Sequence, residues 1–130
     1  MDRRRIDPLA RQTVLAIAAG RIAIGVGAVF ATRPALKALG FAEVDAAGTA
    51  LGRIAGGRDL ALGLLALAAR DDQRALRIVG LAGAAVDASD AITFGVAARD
   101  PIARRAGLSG VVAGSAAALA GAWAWHRLGR

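Results

Sequence analysis

AGLSGVVAGSAAALAGAWAW, residues 106–125, contains no charged side chain. As a helix rising about 1.5 Å per residue it reaches about 30 Å, the thickness of the hydrocarbon core of a bilayer. Trp123, Trp125 and His126 end this run beside Arg127. Amphipathic rings next to a basic residue suit the boundary between acyl chains and headgroups. A water-soluble helical bundle, the competing reading, gives no reason for that placement.

Outward from this segment the chain repeats the pattern with interruptions. The expectation is an all-α, four-transmembrane-helix bundle in one domain covering 1–130, with spans at 12–32, 47–69, 76–98 and 106–126. Arg21 lies inside the first span, Arg53, Arg58 and Asp59 inside the second, and Asp87 and Asp90 inside the third. Pro34 and Pro101 fall in the polar connectors, where a ring lacking an N–H should stop a helix, and Asp7-Pro8 suits a helix start. Gly40-Phe41 is read as a small interfacial turn. The basic N-terminal residues precede an apolar stretch without a small-residue cleavage site, which reads as a retained first span and not as a removable signal.

Composition agrees with this class. Of 130 residues 56% are hydrophobic, only 4% are aromatic and none is Tyr, with a mean hydropathy of +0.50. That leaves too little polar surface for an ordinary soluble domain. A net charge of +7 raises the question of nucleic acid, but the 17 basic residues are scattered between apolar stretches without a stacking platform. We therefore expect no nucleic-acid partner. The absence of Cys excludes thiol catalysis, disulfide exchange and Cys-ligated metals. His126 is the only histidine and stands at the membrane edge, so no metal site is expected. No nucleotide-binding, zincin or serine-hydrolase motif occurs, and neither a cofactor nor a catalytic residue is assigned.

Orientation follows from the basic residues outside the spans. One side collects Arg3, Arg4, Arg5, Arg11, Arg70, Arg74, Arg77, Arg127 and Arg130, and the other Arg33, Lys37, Arg99, Arg104 and Arg105. The larger group belongs in the cytoplasm, which puts both termini inside and the chain in a bacterial inner membrane. Arg53 lies nearer the outer end and is expected to snorkel to the headgroups.

Two patterns bear on assembly and function. Gly48, Gly52 and Gly56 recur at four-residue spacing, as do Gly110, Gly114 and Ala118. Each set lines one stripe along which helices can approach closely in lipid, although abundant glycine and alanine would also produce such stripes.

The second pattern is the depth of the interior charges. Flanking charges bracket the span centres near residues 22, 57–58 and 88, so Arg21, Arg58, Asp59 and Asp87 lie at similar depth, with Asp90 one turn further on. Arg58 and Asp59 together cost the second span about 5–7 kcal/mol on the insertion scale, and its Leu and Ile residues return only about 3.5. That span needs partners. The expectation is an interhelical network of Arg21 and Arg58 with Asp59, Asp87 and Asp90, including bidentate arginine–carboxylate pairs.

Three uses of such a network remain open. It can fix helix register, with a second copy or another membrane protein as partner. It can hold a membrane lipid headgroup or the polar end of an isoprenoid or quinone-like ligand. Alternatively, Asp87 and Asp90 at i and i+3 can serve proton-coupled transport of a small molecule, or an embedded enzyme. Ser89 and Thr93 lie beside them, with hydroxyls expected to bond back to carbonyls four residues earlier. The reading favoured by these residues is a non-enzymatic membrane component that binds a lipid-like ligand.

Gly20-Arg21-Ile22 with Gly25, Gly52-Arg53-Ile54-Ala55-Gly56-Gly57-Arg58-Asp59 with Gly63, and Asp87 with Asp90 resemble the small four-span bacterial membrane proteins grouped as domains of unknown function. In layout the chain is loosely similar to the DoxX-like proteins. The resemblance covers the whole chain in outline and implies a compact four-helix membrane bundle. It carries over no catalytic residue.

Overall fold

The computed structural model describes residues 7–130. Arg3, Arg4 and Arg5, counted above for orientation, lie outside the described residues. The architecture is helical, in the order α1 (Pro8–Phe30), α2 (Thr32–Ala38), α3 (Ala46–Ala68), α4 (Gln73–Ala97) and α5 (Arg104–Leu128).

Aspartates set three of the helix starts. Asp7 accepts hydrogen bonds from the Leu9 and Ala10 amides, with Pro8 as the first helical residue. Asp45 accepts from Gly48 N at 2.6 Å, and Asp72 from Ala75 N at 3.0 Å. Each carboxylate satisfies amides that the first turn leaves without an intrahelical partner. α3 and α4 therefore begin at Ala46 and Gln73, and α1 begins at Pro8, four residues before the expected boundary.

The separate helix α2 differs from the expectation of one span reaching Thr32 and then a polar connector. Ala31 leaves helical geometry (φ −132°, ψ 52°), and α2 resumes with Pro34 in its first turn. There the missing N–H has no cost. Gly40 ends α2 in the left-handed region (φ +102°), its amide donating to the Lys37 carbonyl and that of Phe41 to the Leu36 carbonyl. This is the Schellman pattern, and it accounts for Gly40-Phe41 as the turn.

The long helices alternate in direction and form a ring in which α1 packs on α3, α3 on α4, α4 on α5 and α5 on α1. Two tight pairs, α1 with α3 and α4 with α5, hold most of the contact surface, and the α3–α4 seam is sparse. Both ends of the described chain meet at one end of the bundle, where Arg127 pairs with Asp7 at 2.8 Å. Arg11 pairs with Asp71 in the α3–α4 loop at that same end.

Side-chain burial is inverted relative to a soluble bundle. The core is built largely of alanine and glycine, and Leu76 and Leu128 are the only large side chains fully enclosed among the described residues. Phe30 (79% exposed), Leu119 (73%) and Ile92 (71%) point outward. A surface so apolar calls for a nonpolar surrounding.

Three helices, α1, α4 and α5, are long and apolar enough to cross a membrane. The expected count was four. α3 has the length, with 23 residues, but Arg53, Arg58 and Asp59 all fall in its middle and lower its apolar character.

Candidate functional site: a buried arginine–aspartate network

The small-residue stripes bring the helices close enough for the interior charges to meet. A Cβ on Gly25 would come within 2.7 Å of the Gly56 carbonyl oxygen and the Leu60 amide nitrogen. One on Gly63 would come within 2.8 Å of the Ala18 carbonyl oxygen. Only hydrogen fits where α1 crosses α3.

Gly56 belongs to this seam, facing Ala28, whereas Gly52 faces Leu36 and Thr32 on α2. Gly48 faces Asp45 and Val44 in its own capping loop. On α5, Gly110 abuts the Phe94 ring and Gly114 abuts Ala91 and the Asp87 carbonyl. Gly107 and Gly121 extend that seam against Ala98 and Ala84. Neither stood out in the sequence, although Gly107 lies one turn before Gly110 and Gly121 two turns after Gly114.

Arg21 is 8% exposed and reaches from α1 to two neighbouring helices. Its Nη1 donates to Asp59 Oδ1 on α3 at 2.8 Å, and its Nη2 lies 2.7 Å from Asp87 Oδ1 on α4. The same Nη2 donates to the Gly83 carbonyl at 2.9 Å, an acceptor exposed by the missing side chain. Sequence reasoning did not single out Gly83, and its position one turn before Asp87 was the available signal.

Arg58 forms the second half of the network. Its Nη1 and Nη2 donate to the two oxygens of Asp90 at 3.1 and 2.6 Å, the expected bidentate fork. Nη2 also meets Asp59 Oδ1 at 3.4 Å, so Asp59 links the two arginines. The five residues form a continuous chain, Asp87–Arg21–Asp59–Arg58–Asp90, across α1, α3 and α4.

Asp87 and Asp90 are held by different arginines. They therefore do not present the mutual carboxylate contact that a shared-proton pair would use. Buried Arg58 Nε has no hydrogen-bond partner among the described residues.

Burial is graded along the network. The Arg21 and Asp87 side chains are 10% and 13% exposed, whereas Arg58 and Asp90 are 37% and 29% exposed. The open end thus lies at the sparse α3–α4 seam. At the closed end a cavity of about 20 Å³ is bordered by Arg21, Asp87, Val14, Val79 and Gly80. That volume accommodates about one water.

The flanking residues follow simpler rules. Thr93 donates to the Ser89 carbonyl at 3.0 Å, the expected back-bond. Arg53 is exposed, and its Nε donates to the Thr32 hydroxyl at 3.2 Å, which ties α3 to α2. Arg77 stacks over Trp125 at 4.8 Å and Arg127 over Trp123 at 6.0 Å. His126 Nε2 lies 2.9 Å from Arg130 Nη2, away from the network. Outside the long helices, the Asp7 carboxyl is lowered from its ordinary range, chiefly by the Ala10 amide and then by Arg127.

Comparison with protein-family models, with curated proteins and with solved structures gave no match.

Proposed function

We propose that this chain is a multi-pass membrane component in which α1, α3, α4 and α5 all cross the bilayer. Its role is non-enzymatic: it holds the polar end of a lipid-like molecule, such as an isoprenoid or quinone, or an anionic headgroup. The binding place is the α3–α4 seam at Arg58 and Asp90. The observation that carries this reading is the partial exposure of the bidentate Arg58–Asp90 pair beside a sparse seam, among outward-facing apolar side chains. A guanidinium facing acyl chains is stabilised by an oxygen acceptor that enters laterally. α3, too polar to span alone, is carried across by its ion pairs to α1 and α4.

The basic excess at the end that bears the termini supports placing both termini in the cytoplasm of a bacterial inner membrane. A homodimer, or another membrane protein packed on α3, would cover the same face. Proton-coupled transport or embedded catalysis has less support, because Asp87 and Asp90 are separately engaged and the cavity admits only about one water.

Native mass spectrometry of the detergent-extracted chain tests the proposal. The expected result is a bound lipid-like adduct in the wild type that is depleted in Arg58→Leu. Equal adduct occupancy in both proteins refutes binding at this seam. Release of the chain from membranes by alkaline carbonate refutes the membrane placement.

A further inference from the structure

The network contains two arginines and three aspartates, so its formal charges leave one negative charge in excess. α5 supplies no compensation: residues 106–125 carry no charged side chain, and Gly114 is its contact with the Asp87 backbone. An uncompensated charge in a low-dielectric interior is costly, and a buried site relieves it by binding a proton or a cation.

The three carboxylates are unequally served. Asp90 receives a two-point fork from Arg58, and Asp59 receives a donor from each arginine. Asp87 has a single arginine beside it, with Arg21 Nη2 2.7 Å from Oδ1. Asp87 is also the one carboxylate that borders the water-sized cavity. The charged groups facing it are Arg21 from α1, Asp59 from α3, and Asp90 one turn along α4.

We infer that Asp87 is a binding site for one exchangeable proton, which neutralises the network and is reached through the cavity between α1, α3, α4 and α5. The protonated carboxyl keeps Oδ1 as acceptor for Arg21 and turns its hydroxyl toward a water in the cavity. No other side chain must change state. Gly80 and Gly83 keep this route open, and the nearest neighbour of a Cβ on Gly80 would be Val14 at an ordinary 3.5 Å.

This inference rests on the membrane placement proposed above, and its readout is separate from carbonate extraction and from lipid adducts. The full chain in phosphatidylcholine nanodiscs at neutral pH is examined by infrared spectroscopy. A carbonyl stretch of a protonated carboxylic acid is expected, moving to lower frequency in deuterated buffer. The band should change frequency in Asp87→Glu and vanish in Asp87→Asn. The latter variant mimics the neutral side chain and should melt at the wild-type temperature.

Three results overturn the inference: no such band in the wild type, a band unmoved in Asp87→Glu, or an Asp87→Asn chain that does not fold. A melting temperature raised by sodium but not by choline at equal ionic strength assigns the balancing charge to a metal cation and likewise overturns it.

Discussion

Removing Asp90 alone should damage the bundle, whereas removing Asp90 together with Arg58 should not. In Asp90→Leu the guanidinium loses its 3.1 and 2.6 Å acceptors and keeps only the 3.4 Å contact with Asp59. Stripping one partner from a fully buried ion pair costs about 3–5 kcal/mol, and from an exposed pair about 0–1. With side-chain exposures of 37% and 29%, Asp90→Leu falls between those limits, at about 2 kcal/mol. Arg58→Leu should cost about 1, because a carboxylate left alone can take up a proton.

The double variant removes both charges and adds apolar side chains where each charge had cost about 2.5–3.5 kcal/mol of insertion energy, so its net change is about 0. The cycle therefore gives a coupling of about 3 kcal/mol. Reversible unfolding in mixed micelles at fixed lipid composition measures all four proteins. A double variant as unstable as the sum of the singles would refute the ion pair as the link between α3 and α4.

Other outcomes follow from the same geometry. Gly25→Ala forces a methyl to within 2.7 Å of α3 backbone atoms and should destabilise by about 1–3 kcal/mol. Gly20→Ala in the same helix meets nothing within 4 Å and should be neutral or stabilising by up to about 1; equal melting of the two variants would contradict the close crossing. Gly80→Ala fits its site and should preserve or raise stability while slowing hydrogen–deuterium exchange at Asp87, read by infrared spectroscopy; unchanged exchange would argue against the cavity as the route.

Asp7 is lowered in the folded state, so its contribution is present above the ordinary carboxylate range near pH 4 and is lost as pH falls through the lower folded value. Asp7→Asn should remove that part of the acid sensitivity in a pH series of melting curves, and an unaltered acid limb would deny it.

The helical class, the membrane-like surface and the membership of the charge network were legible because each rests on a one-dimensional signal. An uncharged run as long as 106–125 permits few alternatives, and flanking charges fix the depth of Arg21, Arg58, Asp59 and Asp87. Pairing was only partly legible. Complementary charge at equal depth indicated contact between α3 and α4 but not that Arg21 serves Asp59 and Asp87 while Arg58 takes Asp90, since that choice depends on helix rotation.

The break before α2 was hidden because Pro34 can end one helix or sit in the first turn of the next. Asp45 and Asp72 lie in the polar connectors, and their action as caps is a role fixed by the local backbone. The water-sized cavity was not legible, because it depends on the side chains that four helices withhold from one spot.

The order in which the chain is made gives the position of Arg21 a further meaning. It belongs to the earliest long helix, and its first carboxylate partner is synthesised 38 residues later. At about 5–20 residues per second, Arg21 spends about 2–8 seconds without that partner. In the membrane placement proposed above, the helix would wait through this interval at the insertion machinery or with its guanidinium drawn toward water. The emergence of Asp59, and later of Asp87, would then release it into lipid, which makes insertion a sequence of charge-neutralising dockings under that proposal.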